Sequence, residues 1–145
     1  MSQLNAELCE WAERVSRKLP SLSSSQAWVL AIFSFGMVLT QSCGISTVSV
    51  FLGYVAGEKE NTVRQQLREF TYGQQAKRGP KRREVEVESC FGDLLRWVIS
   101  WWADEERRIA LVMDATTFKD IFSVLTISIA YRGCAIPVAW YTCRR

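Results

Sequence analysis

Between Leu19 and Gly57 the chain carries no charged side chain. So long a run must largely leave water, and that forces either a helical core or a membrane segment on the fold. Its most apolar part, Ala27 to Leu39 (AWVLAIFSFGMVL), is shorter than the roughly 20 apolar residues that cross a bilayer core. Thr40, Gln41, Ser42, Cys43 and Gly44 follow at once. Length therefore favours a buried core helix over a membrane helix, although Val48 to Ala56 is uncharged as well. Ser23 or Ser24 is placed to cap the start of this helix and Gly44 to end it, and Ser46 to cap a shorter helix through Val48, Phe51, Leu52 and Val55.

On either side of this run the pattern is amphipathic. Leu4, Leu8, Trp11, Val15 and Leu19 recur at helical spacing, with Glu7, Glu10, Glu13, Arg14, Arg17 and Lys18 between them and Pro20 as the stop. Acids lead and bases close this helix, the order its dipole prefers, and Trp11 reads as a core anchor. Asn61 is placed to cap Thr62 to Tyr72, a helix with Val63, Leu67 and Phe70 inward and Arg64, Gln65, Gln66 and Arg68 outward. Residues 1–73 thus read as a helical region that suits a helix-turn-helix. In that arrangement the second helix presents such side chains to base edges or phosphates, which makes Arg64 and Arg68 candidate DNA contacts. The same residues on a solvated face need no partner, and both readings stand.

Gln74 to Arg83 (QQAKRGPKRR) is the sharpest change of composition, with Lys77, Arg78, Lys81, Arg82 and Arg83, no acid, and Gly79-Pro80 in the middle. Residues 74–87 read as a flexible basic linker. It is either simply solvated or tracks phosphates, gaining affinity by counterion release and losing it as salt rises.

Ile109 to Met113, an apolar run bounded by Arg108 and Asp114, suits a strand buried on both faces that delivers Asp114 at its end. Ser123 to Tyr131 (SVLTISIAY) is rich in β-branched residues and reads as a second strand. Arg132-Gly133 supplies a tight turn, and Cys134 to Trp140 forms a third strand that Pro137 confines to an edge or bulge position. The expected product is an antiparallel meander. Phe91, Leu94, Leu95, Val98, Ile99 and Trp102 give a helix to cover it, with Trp97 and Trp101 as packing residues. Asp114 then has two readings: a rim carboxylate holding a hard divalent cation such as Mg²⁺, or the start of a turn with Thr116 and Thr117.

Composition narrows the chemistry. The chain has no histidine, so no His-based nucleophile activation, general base or metal ligand is available, and any metal would rest on carboxylates. The five cysteines, at 9, 43, 90, 134 and 143, include no CxxC pair, which argues against a disulfide framework or a zinc site and for a reducing cytoplasm. Met1 to Glu10 lacks the basic region and apolar core of a secretory signal. The net charge of +3 is mildly basic and does not by itself demand a polyanionic partner.

Four segments carry a resemblance: Glu86-Val87-Glu88-Ser89-Cys90-Phe91, Trp97 to Trp102, Leu111-Val112-Met113-Asp114-Ala115-Thr116-Thr117, and Ile127 to Trp140 (ISIAYRGCAIPVAW). Together they resemble the front part of bacterial insertion-sequence transposases of the DDE type, most specifically from Leu111 to Trp140. The resemblance implies an α+β chain. A helical region is followed by the opening helix and three-stranded antiparallel meander of an RNase H-like domain at residues 88–145. It further implies Asp114 as the first of three catalytic acids and ligand to Mg²⁺, with transposon-end DNA as partner and strand nicking and transfer as the reaction. A homo-oligomer or a full-length transposase is the expected protein partner. Two-metal phosphoryl transfer needs several convergent carboxylates. Beyond Asp120 the sequence has no Asp or Glu, and Asp120 lies too close to Asp114 to serve as a residue from a distant strand. The expectation is therefore a truncated amino-terminal part that does not cut DNA alone. The alternatives are a non-catalytic DNA-binding or inhibitory remnant of a mobile element, and a membrane-associated helical protein.

Overall fold

The apolar spacing of the amino-terminal segment produces helix α1 (Gln3–Lys18), which buries Leu8 and Val15 and ends on Arg17 and Lys18. Its first turn holds no acid, because Glu7 and Glu10 fall further in, so only the basic half of the dipole expectation is met. This is a computed structural model, and it describes residues 3–77, 83–102 and 108–144. The chain is α+β, with five α-helices and a three-stranded sheet among the described residues, and divides into two units, Met1–Glu86 and Val87–Arg145.

In the first unit, α2 (Ser24–Thr40) begins at a capping box: Ser23 Oγ accepts the Gln26 N–H at 3.3 Å and Gln26 Oε1 accepts the Ser23 N–H at 2.9 Å. It ends at Gln41, left-handed with φ 51°, rather than at Gly44. Gly44 instead precedes α3 (Ile45–Ala56) as its cap, which leaves Ser46 inside the helix. α4 (Glu60–Phe70) starts after Lys59 and not at Asn61, since the chain turns back into helix soon after the left-handed Gly57. Leu8, Ile32, Val48, Leu52, Val55, Val63 and Leu67 form the core of this unit. α2 and α3 meet closely at Gly36, where a Cβ would lie 2.6 Å from Val48 Cγ1. Trp11 is half-buried and anchors α1 to α2, its indole N–H donating to Ser34 Oγ at 2.9 Å.

The uncharged run is buried on one side only. Ala27, Ala31, Ile32, Val48, Leu52 and Val55 lie inside, while Val38, Leu39, Val50 and Tyr54 are exposed. Among the described residues no single helix is long and apolar enough to cross a membrane, and α2 with α3 qualifies only as a pair bent by 102°.

In the second unit, α5 (Phe91–Ile99) is followed by β1 (Leu111–Phe118), β2 (Phe122–Tyr131) and β3 (Cys134–Arg144), an antiparallel meander in the order β1-β2-β3. Lys119 and Asp120, at φ 50° and 54°, make the first turn, and Arg132-Gly133, at φ 49° and 83°, makes the second as its composition required. Pro137 pairs with Ser128 while Ala139 pairs with Ile127, so Val138 is the extra residue of a bulge. Val98, Ile129 and Val138 form a small core with Leu94, Ile99, Trp102, Ile127 and Ile136 around it. Tyr131 stacks obliquely with Trp102 (centroids 4.4 Å apart) and donates its hydroxyl to the Trp101 carbonyl at 3.3 Å. Leu94, Val98 and Ile99 of the helix thus meet the sheet as their spacing placed them, whereas Leu95 and Trp101, expected in the packing, are exposed and Trp102 joins the cluster from beyond the helix end.

β1 departs from expectation in two ways. It begins later and runs on through Ala115-Thr116-Thr117, so Asp114 lies within the strand and neither ends it nor begins a turn. All of its residues are exposed, Leu111 at 65% and Met113 at 68%. The cause is position. The buried cluster joins α5 to β2 and β3, and among the described residues nothing covers the outer strand.

Candidate functional site

Asp114 sits in the middle of β1, paired across the ladder with Thr126. Side chains alternate along a strand, so Val112, Asp114 and Thr116 share a face, and the Thr116 hydroxyl donates to Asp114 Oδ2 at 3.2 Å. Asp120 belongs to the hairpin turn rather than the strand. Among the described residues no group of three or more His, Cys, Asp or Glu side chains is arranged to hold a metal ion. A Mg²⁺ ion demands near-octahedral oxygen coordination, and one exposed carboxylate with a hydroxyl beside it supplies little of that. The residues present do not fit the ion implied by the resemblance.

The two helical arginines are in different states. Arg64 is half-buried and paired with Glu60 one turn earlier, and its Nε is enclosed without a hydrogen-bond partner. Arg68 is exposed, as is Gln65, which donates to Glu69 Oε1 at 2.7 Å. Of the outward face expected for α4, Gln66 also turns partly inward, where it lines a small recess with Leu8, Trp28, Ile32, Leu52 and Val63.

The described ends of the basic segment are fastened by hydrogen bonds. Lys77 Nζ donates to the Arg83 carbonyl at 2.9 Å, and the Glu84 carboxylate accepts the Gln74 N–H at 3.2 Å. Gln26, besides closing the capping box, donates from Nε2 to the Glu84 carbonyl at 3.2 Å. Residues 77 and 83 are thereby held together. Arg78, Lys81 and Arg82, between them, lie outside the described residues, as does the charged stretch at 104–107. The roles of Gln26 and Glu84 escaped the sequence reading. The Ser-x-x-Gln spacing of Ser23 and Gln26 signals the capping box, but nothing local signals the reach to Glu84.

Comparison with protein-family models, with characterised proteins and with solved structures finds no match to this chain.

Proposed function

We propose that this chain is a transposase-derived DNA-binding protein, the amino-terminal part of an insertion-sequence DDE transposase, and that alone it binds transposon-end DNA without cutting it. The observation that carries the reading is the unit Val87–Arg145. There a helix packs on an antiparallel meander whose first strand bears a single acid, Asp114, the pattern implied by the resemblance to an RNase H-like core. Arg68, Lys77 and Arg83, with Arg78, Lys81 and Arg82 of the basic segment, supply the cationic side chains for phosphate contact, and Arg64 is held back by Glu60. The isolation of Asp114 among the described carboxylates favours the second reading within this class, a non-catalytic or inhibitory remnant that occupies DNA ends or associates with active transposase.

The test is DNA binding followed at several salt concentrations, with Mg²⁺-dependent nicking of supercoiled plasmid assayed in parallel. Binding that weakens steeply with salt, and is lost when Lys77, Arg78, Lys81, Arg82 and Arg83 are replaced by glutamine, is the expected result. Nicking that disappears in Asp114→Ala would overturn the claim that the chain alone does not cut DNA. Binding insensitive to salt, or absent, would overturn the proposal.

A further inference from the structure

β1 and β3 are the two edges of the sheet, and they are finished differently. β3 carries Pro137, which has no N–H, and the Val138 bulge beside it, both devices that discourage an edge from accepting another strand. β1 has neither. Its sequence LVMDATTF contains no proline and no lysine, and its register runs unbroken from Leu111 opposite Ile129 to Phe118 opposite Phe122. The Ala130 N–H donates to the Ala110 carbonyl at 2.9 Å, which sets the phase of the ladder. Bonded and non-bonded pairs alternate along an antiparallel pair. Even-numbered residues of β1 therefore turn their backbone groups to β2, while Leu111, Met113, Ala115 and Thr117 turn theirs to the open edge.

We infer that this edge is a dimer interface, filled by β1 of a second copy running antiparallel about a two-fold axis through Ala115. The occupant is a strand because an extended backbone offers donors and acceptors at the spacing the edge presents. It is this strand because the register suits itself. About Ala115, Met113 faces Thr117, Asp114 faces Thr116 and Val112 faces Phe118, each pair occurring twice by symmetry. The backbone groups that point outward oppose one another, as a ladder requires. The only charge in β1 meets a hydroxyl, whereas an axis through Asp114 would set two carboxylates face to face. Val112 and Phe118, both exposed in the single copy, gain a cross-strand apolar contact. This inference rests on the strand alone and is independent of DNA binding.

Light scattering of the full chain over a concentration series is expected to show a reversible monomer–dimer equilibrium. Ala115→Pro removes an N–H that points to the open edge and none from the β1–β2 ladder, so it yields a monomer with unchanged far-ultraviolet dichroism. Because proline also restrains φ, a second pair of variants reads the register. Thr116→Asp places two new like-charge contacts across the axis and weakens the dimer about tenfold, and Thr116→Lys, facing Asp114, tightens it severalfold. A chain that is monomeric at every concentration, a dimer insensitive to all three substitutions, or an assembly larger than a dimer would overturn the inference.

Discussion

Gly36 shows how a single residue sets the packing of the first unit. Its missing Cβ leaves room for Val48, a stiff β-branched side chain with no exposed surface. Elsewhere on a helix, alanine in place of glycine gains about 1 kcal/mol of helix propensity. Here the added methyl meets Val48 Cγ1 at 2.6 Å, and overpacking of that kind costs about 1–3 kcal/mol. Gly36→Ala is therefore expected to destabilise the first unit by about 1 kcal/mol net, read as a lower denaturant midpoint with unchanged slope. A gain in stability would mean that α2 and α3 do not cross at this contact.

Among the elements, the contrast between α5 and β1 marks what a sequence does and does not reveal. The spacing of Leu94 and Val98 places one apolar stripe on a helix, and that stripe, with Trp102 just past the helix end, is the one that meets Ile129 and Val138. Turn chemistry was equally legible: Gly133 takes the positive φ that glycine tolerates, and Pro137 lies beside a bulge. The apolar run through Met113, by contrast, states only that the strand suits an interior. What covers it depends on contacts far along a chain or from another chain, which local pattern does not encode. Asp114 was legible as the acid of β1 yet misplaced at its end, because the threonines that resemble a turn are also good strand formers. Among the described residues of the second unit few side chains are fully buried, so each matters. Ile129→Ala removes its most deeply buried large residue and is expected to cost about 2–5 kcal/mol. Hydrogen exchange would show lost amide protection in α5, β2 and β3, together with loss of the near-ultraviolet signal of Trp102 and Tyr131. Preserved protection there would mean that Ile129 is not central to the cluster.

For the whole molecule the question left by the sequence is where the uncharged run meets its surroundings. Val48, Leu52 and Val55 face the core of the first unit, yet Val50 and Tyr54, from the same helix, are exposed, Tyr54 at 86%. If α2 and α3 belong to a domain surrounded by water, these outer positions are solvated, and a charge there costs little. Val50→Lys and Tyr54→Lys are then expected to leave the unfolding free energy within about 0.5 kcal/mol and to raise solubility without detergent, since they shrink an apolar patch. Val48→Lys, by contrast, buries an unpaired ammonium and is expected to prevent folding. If the bent pair instead dips into a bilayer, a lysine at position 50 or 54 would weaken vesicle binding, and the unaltered chain would need detergent to remain in solution. Vesicle flotation and detergent-free solubility of the three variants and the unaltered chain decide between the two environments. The exposed face of α3 responds oppositely to charge in each, whereas the buried face tolerates it in neither.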